Sequence, residues 1–115
     1  MQYLLLIHND QKTHPAPGTP AWNEILAGYE AFNAMLAKRG AFSGQPLQPP
    51  TTAKTVRVAN GSPTITDGPF AETKEWLSGF YLVDCDSAEE ALGLAAQIPS
   101  SRFGSVEVRP IMEMH

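Results

Sequence analysis

Cysteine is almost missing from this chain: Cys85 is the only one in 115 residues. One thiol excludes an intrachain disulfide and any zinc site built from several cysteines. Because it lies in an apolar, strand-like run, it reads as a buried, inert group rather than a reactive one. Basic residues are scarce as well. Eight Lys and Arg against twelve Asp and Glu leave a formal charge of −4, and the eight are not clustered, so the footprint that phosphate backbones require is absent. No apolar run approaches the ~20 residues of a membrane-spanning helix. The opening residues show neither a basic stretch nor a small-residue cleavage site. The expectation is one cytoplasmic domain with no direct nucleic-acid binding, no membrane segment, and no metal or cofactor motif.

What is present alternates between strand and helix patterns. Tyr3–Ile7 is apolar without a break, the pattern of a strand covered on both faces, and His8-Asn9-Asp10 opens a polar loop. Thr19 is an N-cap and Pro20 suits the first helical position. Trp22, Ile25, Leu26, Tyr29, Phe32 and Leu36 then fall on one helical stripe. Lys38 and Arg39 sit at the negative end of the dipole, and Gly40 stops the helix. Ala41–Gln45 is a short strand, followed by three prolines across Gln45–Pro50 that exclude helix and central strand. Thr55–Val58 and Thr64–Thr66 flank Asn60-Gly61 as a hairpin outside the main sheet. Leu77–Cys85 is the strongest strand, apolar on both sides. Ser87 with Glu90 forms a capping box for a helix whose packing stripe is Ala88, Ala91, Leu92 and Ala95, closed by Pro99. Ser105–Met112 alternates and ends the chain as a strand.

The order β-α-β, hairpin, β-α-β predicts an α+β fold of the ferredoxin-like, split βαβ type. Two helices can cover only one face of a four-stranded sheet, yet two of its strands are apolar on both. A second copy, sheet against sheet, is the economical cover. The expected assembly is therefore a homodimeric α/β barrel with space for a small-molecule ligand.

Thr66–Glu75 reads T-D-G-P-F-A-E-T-K-E and combines a sharp turn with four charges immediately before the strongest strand. Gly68 tolerates positive φ and Pro69 fixes its own. Asp67 is the first candidate for chemistry: enclosed beside a cleft it would carry a proton, whereas hydrogen-bonded to the turn it would be a cap.

Asp67-Gly68-Pro69-Phe70 resembles the signature of the YCII-related (DGPF-domain) family. Leu47–Pro50, Thr55–Val58, Gly79–Leu82 and Gly104–Pro110 look like further family segments in the same order. The resemblance covers nearly the whole chain and implies the dimeric α+β-barrel variant of the ferredoxin-like fold. It assigns no reaction. Relatives suggest an enzyme with a His–Asp pair in a cleft, and the setting of many members suggests an accessory role near extracytoplasmic-function sigma factors. A histidine of the first helix in relatives aligns with Tyr29 here. A tyrosine, with an ordinary pKa of about 10, is a poor general base at neutral pH, so Tyr29 is a candidate ligand-binding donor instead.

Three further residues complete the candidate set. His8 ends the first strand, where clefts of small domains open; with Asp10 and His14 it lacks the fixed third ligand of a metal site. Arg57 and Arg109 lie between apolar neighbours on strands and are candidates to neutralise an anionic ligand group or to pair with Glu72, Glu75 or Glu107. No serine has a nucleophile elbow or a spaced histidine, so acyl transfer is not indicated. The two roles of Asp67 separate by mutation. A cap tolerates Asp67→Asn and loses about 1 kcal/mol in Asp67→Ala, read by urea unfolding, whereas a general base loses turnover in both.

Overall fold

The computed structural model describes residues 1–114, and His115 lies outside them. The first strand, β1 (Gln2–Asn9), runs through the middle of a four-stranded sheet. It pairs antiparallel with β5 (Trp76–Asp84) on one side and β6 (Ser105–Pro110) on the other, and β2 (Ser43–Pro46) adds antiparallel to the outer edge of β5. His8 and Asn9 belong to this strand, not to a loop; a register shift between Ile7 and His8 in the β5 pairing keeps them in the ladder. Hydrogen-bonding capacity explains the extension. Asn9 is a poor strand former, but its amide finds Ser78 on the neighbouring strand.

The helix α1 (Pro20–Arg39) starts as its sequence dictates: Thr19 Oγ1 accepts the Trp22 N–H at 3.2 Å, with Pro20 in the first turn. It ends at Gly40, whose φ of +145° is open to glycine alone at little cost. Arg39 in its last turn donates to the Asp84 carbonyl and to the Glu90 carboxylate, fastening α1 to the first turn of α2 (Ala88–Gln97). Ser87 Oγ accepts the Glu90 N–H, while Glu90 reaches the Asp86 N–H, one residue earlier than in a standard capping box. That backbone contact first, and Arg39 second, hold the Glu90 carboxyl below its usual range.

Both helices lie on one face. Tyr3, Leu5, Ile7, Tyr81 and Val83 are buried there against Phe32 and Leu36 of α1 and Ala91, Leu94 and Ala95 of α2. Cys85 is buried in the same core, and desolvation pushes its thiol pKa up, away from reactivity. The other face carries Leu4 and Leu6 opposite Leu82 and Phe80, all half-buried in the single chain. The alternation of β1 and β5 thus puts apolar side chains on both faces, as their composition requires.

The strands β3 (Lys54–Ala59) and β4 (Ser62–Asp67) form a separate two-stranded sheet. Asn60 and Gly61 make its turn with φ of 53° and 78°, both positive as a tight hairpin needs. Among the described residues, no helix is long and apolar enough to cross a membrane.

One face differs from the sequence expectation. In α2 the buried stripe is Ala91, Leu94, Ala95 and, just beyond the helix, Ile98; Leu92 is 56% exposed and Ala88 is exposed. Leucines at 92 and 94 both lie within reach of the Ala91/Ala95 stripe by spacing alone, and the packing of α2 over β6 and β1 buries the second. Leu94→Ala is expected to cost about 2–5 kcal/mol in urea unfolding, and Leu92→Ala less than about 0.5 kcal/mol in the single chain. Equal costs would contradict this packing.

Candidate functional site

The stripe on α1 is wider than the core needs. Ile25, Phe32 and Leu36 are buried, but Trp22, Leu26 and Tyr29 are not fully covered. They form one wall of a cleft of about 670 Å³ between α1 and the β2–β5 edge of the sheet, with Phe42, Gly44, Pro46, Gly79 and Tyr81 opposite. Residues of α1 and of the β2 edge thus stand on its two sides. Two glycines shape it. A Cβ on Gly44 would stand 2.6 Å from Tyr81 Cδ1, so the bare backbone of β2 makes room for that ring. A Cβ on Gly28 would meet Pro99 Cγ at 2.8 Å, so glycine there lets α1 approach the 3-10 turn Pro99–Arg102.

That approach sets the polar part of the site. Tyr29 Oη lies 2.8 Å from Ser100 Oγ, and Ser100 is buried. Tyr81 donates its hydroxyl to Asn33 Oδ1 at 2.6 Å. Asn9 Nδ2 donates to Ser78 Oγ at 2.7 Å, and Ser78 donates on to the Ile7 carbonyl at 3.2 Å. This relay fixes the Asn9 amide with its nitrogen towards Ser78 and leaves Oδ1 buried without a partner. His14 stands edge-on to Trp22 with ring centroids 5.6 Å apart, and its Nδ1 is 3.1 Å from the Pro15 carbonyl, which can only accept. In that contact Nδ1 carries the proton.

Burial raises the Tyr29 hydroxyl above its ordinary value, partly offset by Ser100. Tyr81 is pushed up to about 12, by burial first and the neighbouring Tyr29 second. Both phenols are therefore hydrogen-bonding groups at neutral pH and not bases.

The residues singled out from the sequence fall in three places. Tyr29 lines the cleft. His8, Glu107 and Arg109 meet on the sheet face away from the helices: His8 Nε2 is 3.7 Å from Glu107 Oε1, and Arg109 Nη2 is 2.6 Å from Glu107 Oε2. Asp67 and Arg57 belong to the hairpin. In the single chain Asp67 is 86% exposed and accepts from Lys54 Nζ at 2.6 Å across the two strands. The turn after it is held by the Gly68 N–H on the Ala53 carbonyl and by Thr55 Oγ1 on the Gly68 carbonyl. Asp10 is buried and receives the Lys12 N–H, which makes it a loop cap. Among the described residues no three His, Cys, Asp or Glu converge in a group able to hold a metal ion.

Asn9, Ser78 and Ser100 were not found from the sequence. Their contacts join residues 69 and 71 positions apart, and no spacing rule reports such pairs.

Two comparisons bear on the chain. The family model described as YCII-related domain matches residues 1–115. An uncharacterised protein of Rhizobium meliloti is 37% identical over 114 residues, covering 96% of this chain and 92% of that protein.

The tyrosine pair carries a pH dependence. A phenol whose folded pKa exceeds its unfolded value of about 10 binds its proton more tightly when folded, so the stability is whole below pH 10 and lost as pH rises towards 12. Absorbance at 295 nm should show one phenolate forming near 12, and Tyr81→Phe should flatten the alkaline loss of stability. Titration of all three tyrosines near 10 would contradict the burial of this ring.

Proposed function

The chain belongs to the YCII-related domain family, and we propose that it is a cytoplasmic, small-molecule-binding protein whose ligand occupies the cleft between α1 and the β2–β5 edge. One observation carries this reading: an aromatic-lined recess of about 670 Å³ in which Ser100 holds the Tyr29 hydroxyl and Asn33 holds that of Tyr81. Pre-formed, mostly apolar recesses with a small number of positioned polar groups are what small ligands occupy.

We further propose that it works as a homodimer, in the ferredoxin-like dimeric α/β-barrel arrangement, with the two free sheet faces opposed. Leu4, Leu6, Phe80 and Leu82 supply the apolar patch. The hairpin supports the same reading. Val56, Val58 and Ile65 are each more than half exposed, and the pairings Val56 with Ile65 and Val58 with Pro63 place them on one side. An isolated two-stranded hairpin is marginal in water, so an apolar side left open calls for a partner surface.

Acid–base turnover is the second reading, favoured by the contact of His8 with Glu107 and Arg109 on the face that the second copy would roof. Asp67 is its candidate proton carrier, paired with Lys54 on the hairpin, and it needs a partner copy to enclose it.

Two measurements test the proposal. In a Trp76→Phe background, Trp22 reports the cleft: at least one compound of a small-organic panel should shift its emission saturably at millimolar or lower concentration, and no shift with any would overturn the cleft reading. Light scattering at micromolar concentration should give twice the chain mass, and Leu6→Glu should give a folded single chain. A wild-type single-chain mass would overturn the dimer.

A further inference from the structure

We infer that the ligand of this cleft is a neutral molecule with a flat ring, and that the cleft selects against anions and cations alike; the inference rests on the reading that the cleft binds a small molecule at all. The chain carries eight basic and twelve acidic residues, yet no Asp, Glu, Lys or Arg lines the recess. Several of the polar groups that do line it are engaged with each other or with backbone, and the buried atom left without a partner, Asn9 Oδ1, carries no formal charge. Tyr29 is on Ser100, the Tyr81 hydroxyl on Asn33, and Asn9 on Ser78. His14 holds its Nδ1 proton against the Pro15 carbonyl.

An ion entering such a recess gives up water and meets no opposite charge. A neutral ring gives up little and gains apolar contact. The shape of the walls agrees. Trp22 on α1 faces a sheet wall in which Phe42 and Tyr81 are tilted against each other, centroids 6.1 Å apart, and aromatic rings at such separations accept a further ring in stacked or edge-on contact. The candidate anion-binding arginines stand elsewhere: Arg109 is on the free sheet face with Glu107, and Arg57 is on the hairpin.

Benzyl alcohol, benzoate and benzylammonium are close in size and differ in charge, and they make the test at pH 7 on the full chain. Binding is read from the amide shifts of Asn9 and Ser78 and the indole N–H shift of Trp22. Benzyl alcohol is expected to bind at least about tenfold more tightly than either ion. Asn33→Asp supplies the converse. Asn33 is exposed at the mouth of the cleft, and aspartate keeps the acceptor that Tyr81 uses, so the variant is expected to melt like the wild type. Its new carboxylate should raise benzylammonium affinity about tenfold and leave benzoate excluded.

Benzoate or benzylammonium binding the wild type as tightly as benzyl alcohol would overturn the charge selection while leaving the cleft a ligand site. Unchanged ion affinities in a folded Asn33→Asp chain would also overturn it. If none of the three compounds moves the cleft resonances, the failure lies with the binding reading itself.

Discussion

Coverage is the constraint from which the rest follows: two helices have to bury a four-stranded sheet whose central strands are apolar on both faces. They cover one face only, and on that face a cleft lies between α1 and β2. The buried side is a continuous core of Leu5, Val83, Leu36 and Ile98, closed at one end by the ties from Arg39 to Asp84 and Glu90. What is left uncovered divides in two. Towards the helices there is a cleft at the β2 edge; away from them there is a bare apolar face. The first suits a small molecule and the second a broad, flat partner, because one is concave and the other extended.

The cleft depends on residues that look unremarkable one by one. Gly44 gives its space to the Tyr81 ring, and Gly28 gives its space to Pro99, which brings Tyr29 onto Ser100. Gly104 completes the pattern, since a Cβ there would lie 2.0 Å from the His8 carbonyl oxygen, where β6 enters the sheet beside β1. Close backbone approach, more than any charged constellation, determines the shape of this site. Its chemistry follows: two phenols raised by burial, two serines, three amides, one imidazole, and no Asp, Glu, Lys or Arg.

Much of the fold was legible in the sequence because its signals are local. Thr19-Pro20, Ser87 as an N-cap, Asn60-Gly61 and the unbroken apolar runs each act within a few residues and stand where expected, while Glu90 caps Asp86 in place of Ser87. The α2 face is not legible because Leu92 and Leu94 straddle the same stripe, and only the packing of the helix on the sheet decides between them. The candidate site was legible only through Tyr29. The single stripe from Trp22 to Leu36 serves both the core and the cleft wall, and spacing cannot distinguish the two. The charged turn at Asp67 has the composition of a catalytic loop, since ionisable groups beside a tight turn often do chemistry. In the single chain that carboxylate is out on the hairpin with Lys54, so any role it has depends on a second copy.

The claim on which these readings turn is that α1 and the β2 edge leave a lasting recess for a neutral ring. A crystal structure grown with benzyl alcohol tests it most directly. The account predicts ring density between Trp22 and Tyr81, with the Tyr29–Ser100 and Tyr81–Asn33 contacts intact. Trp22 and Leu26 folded down onto Tyr81, with the compound bound elsewhere or not at all, would contradict it.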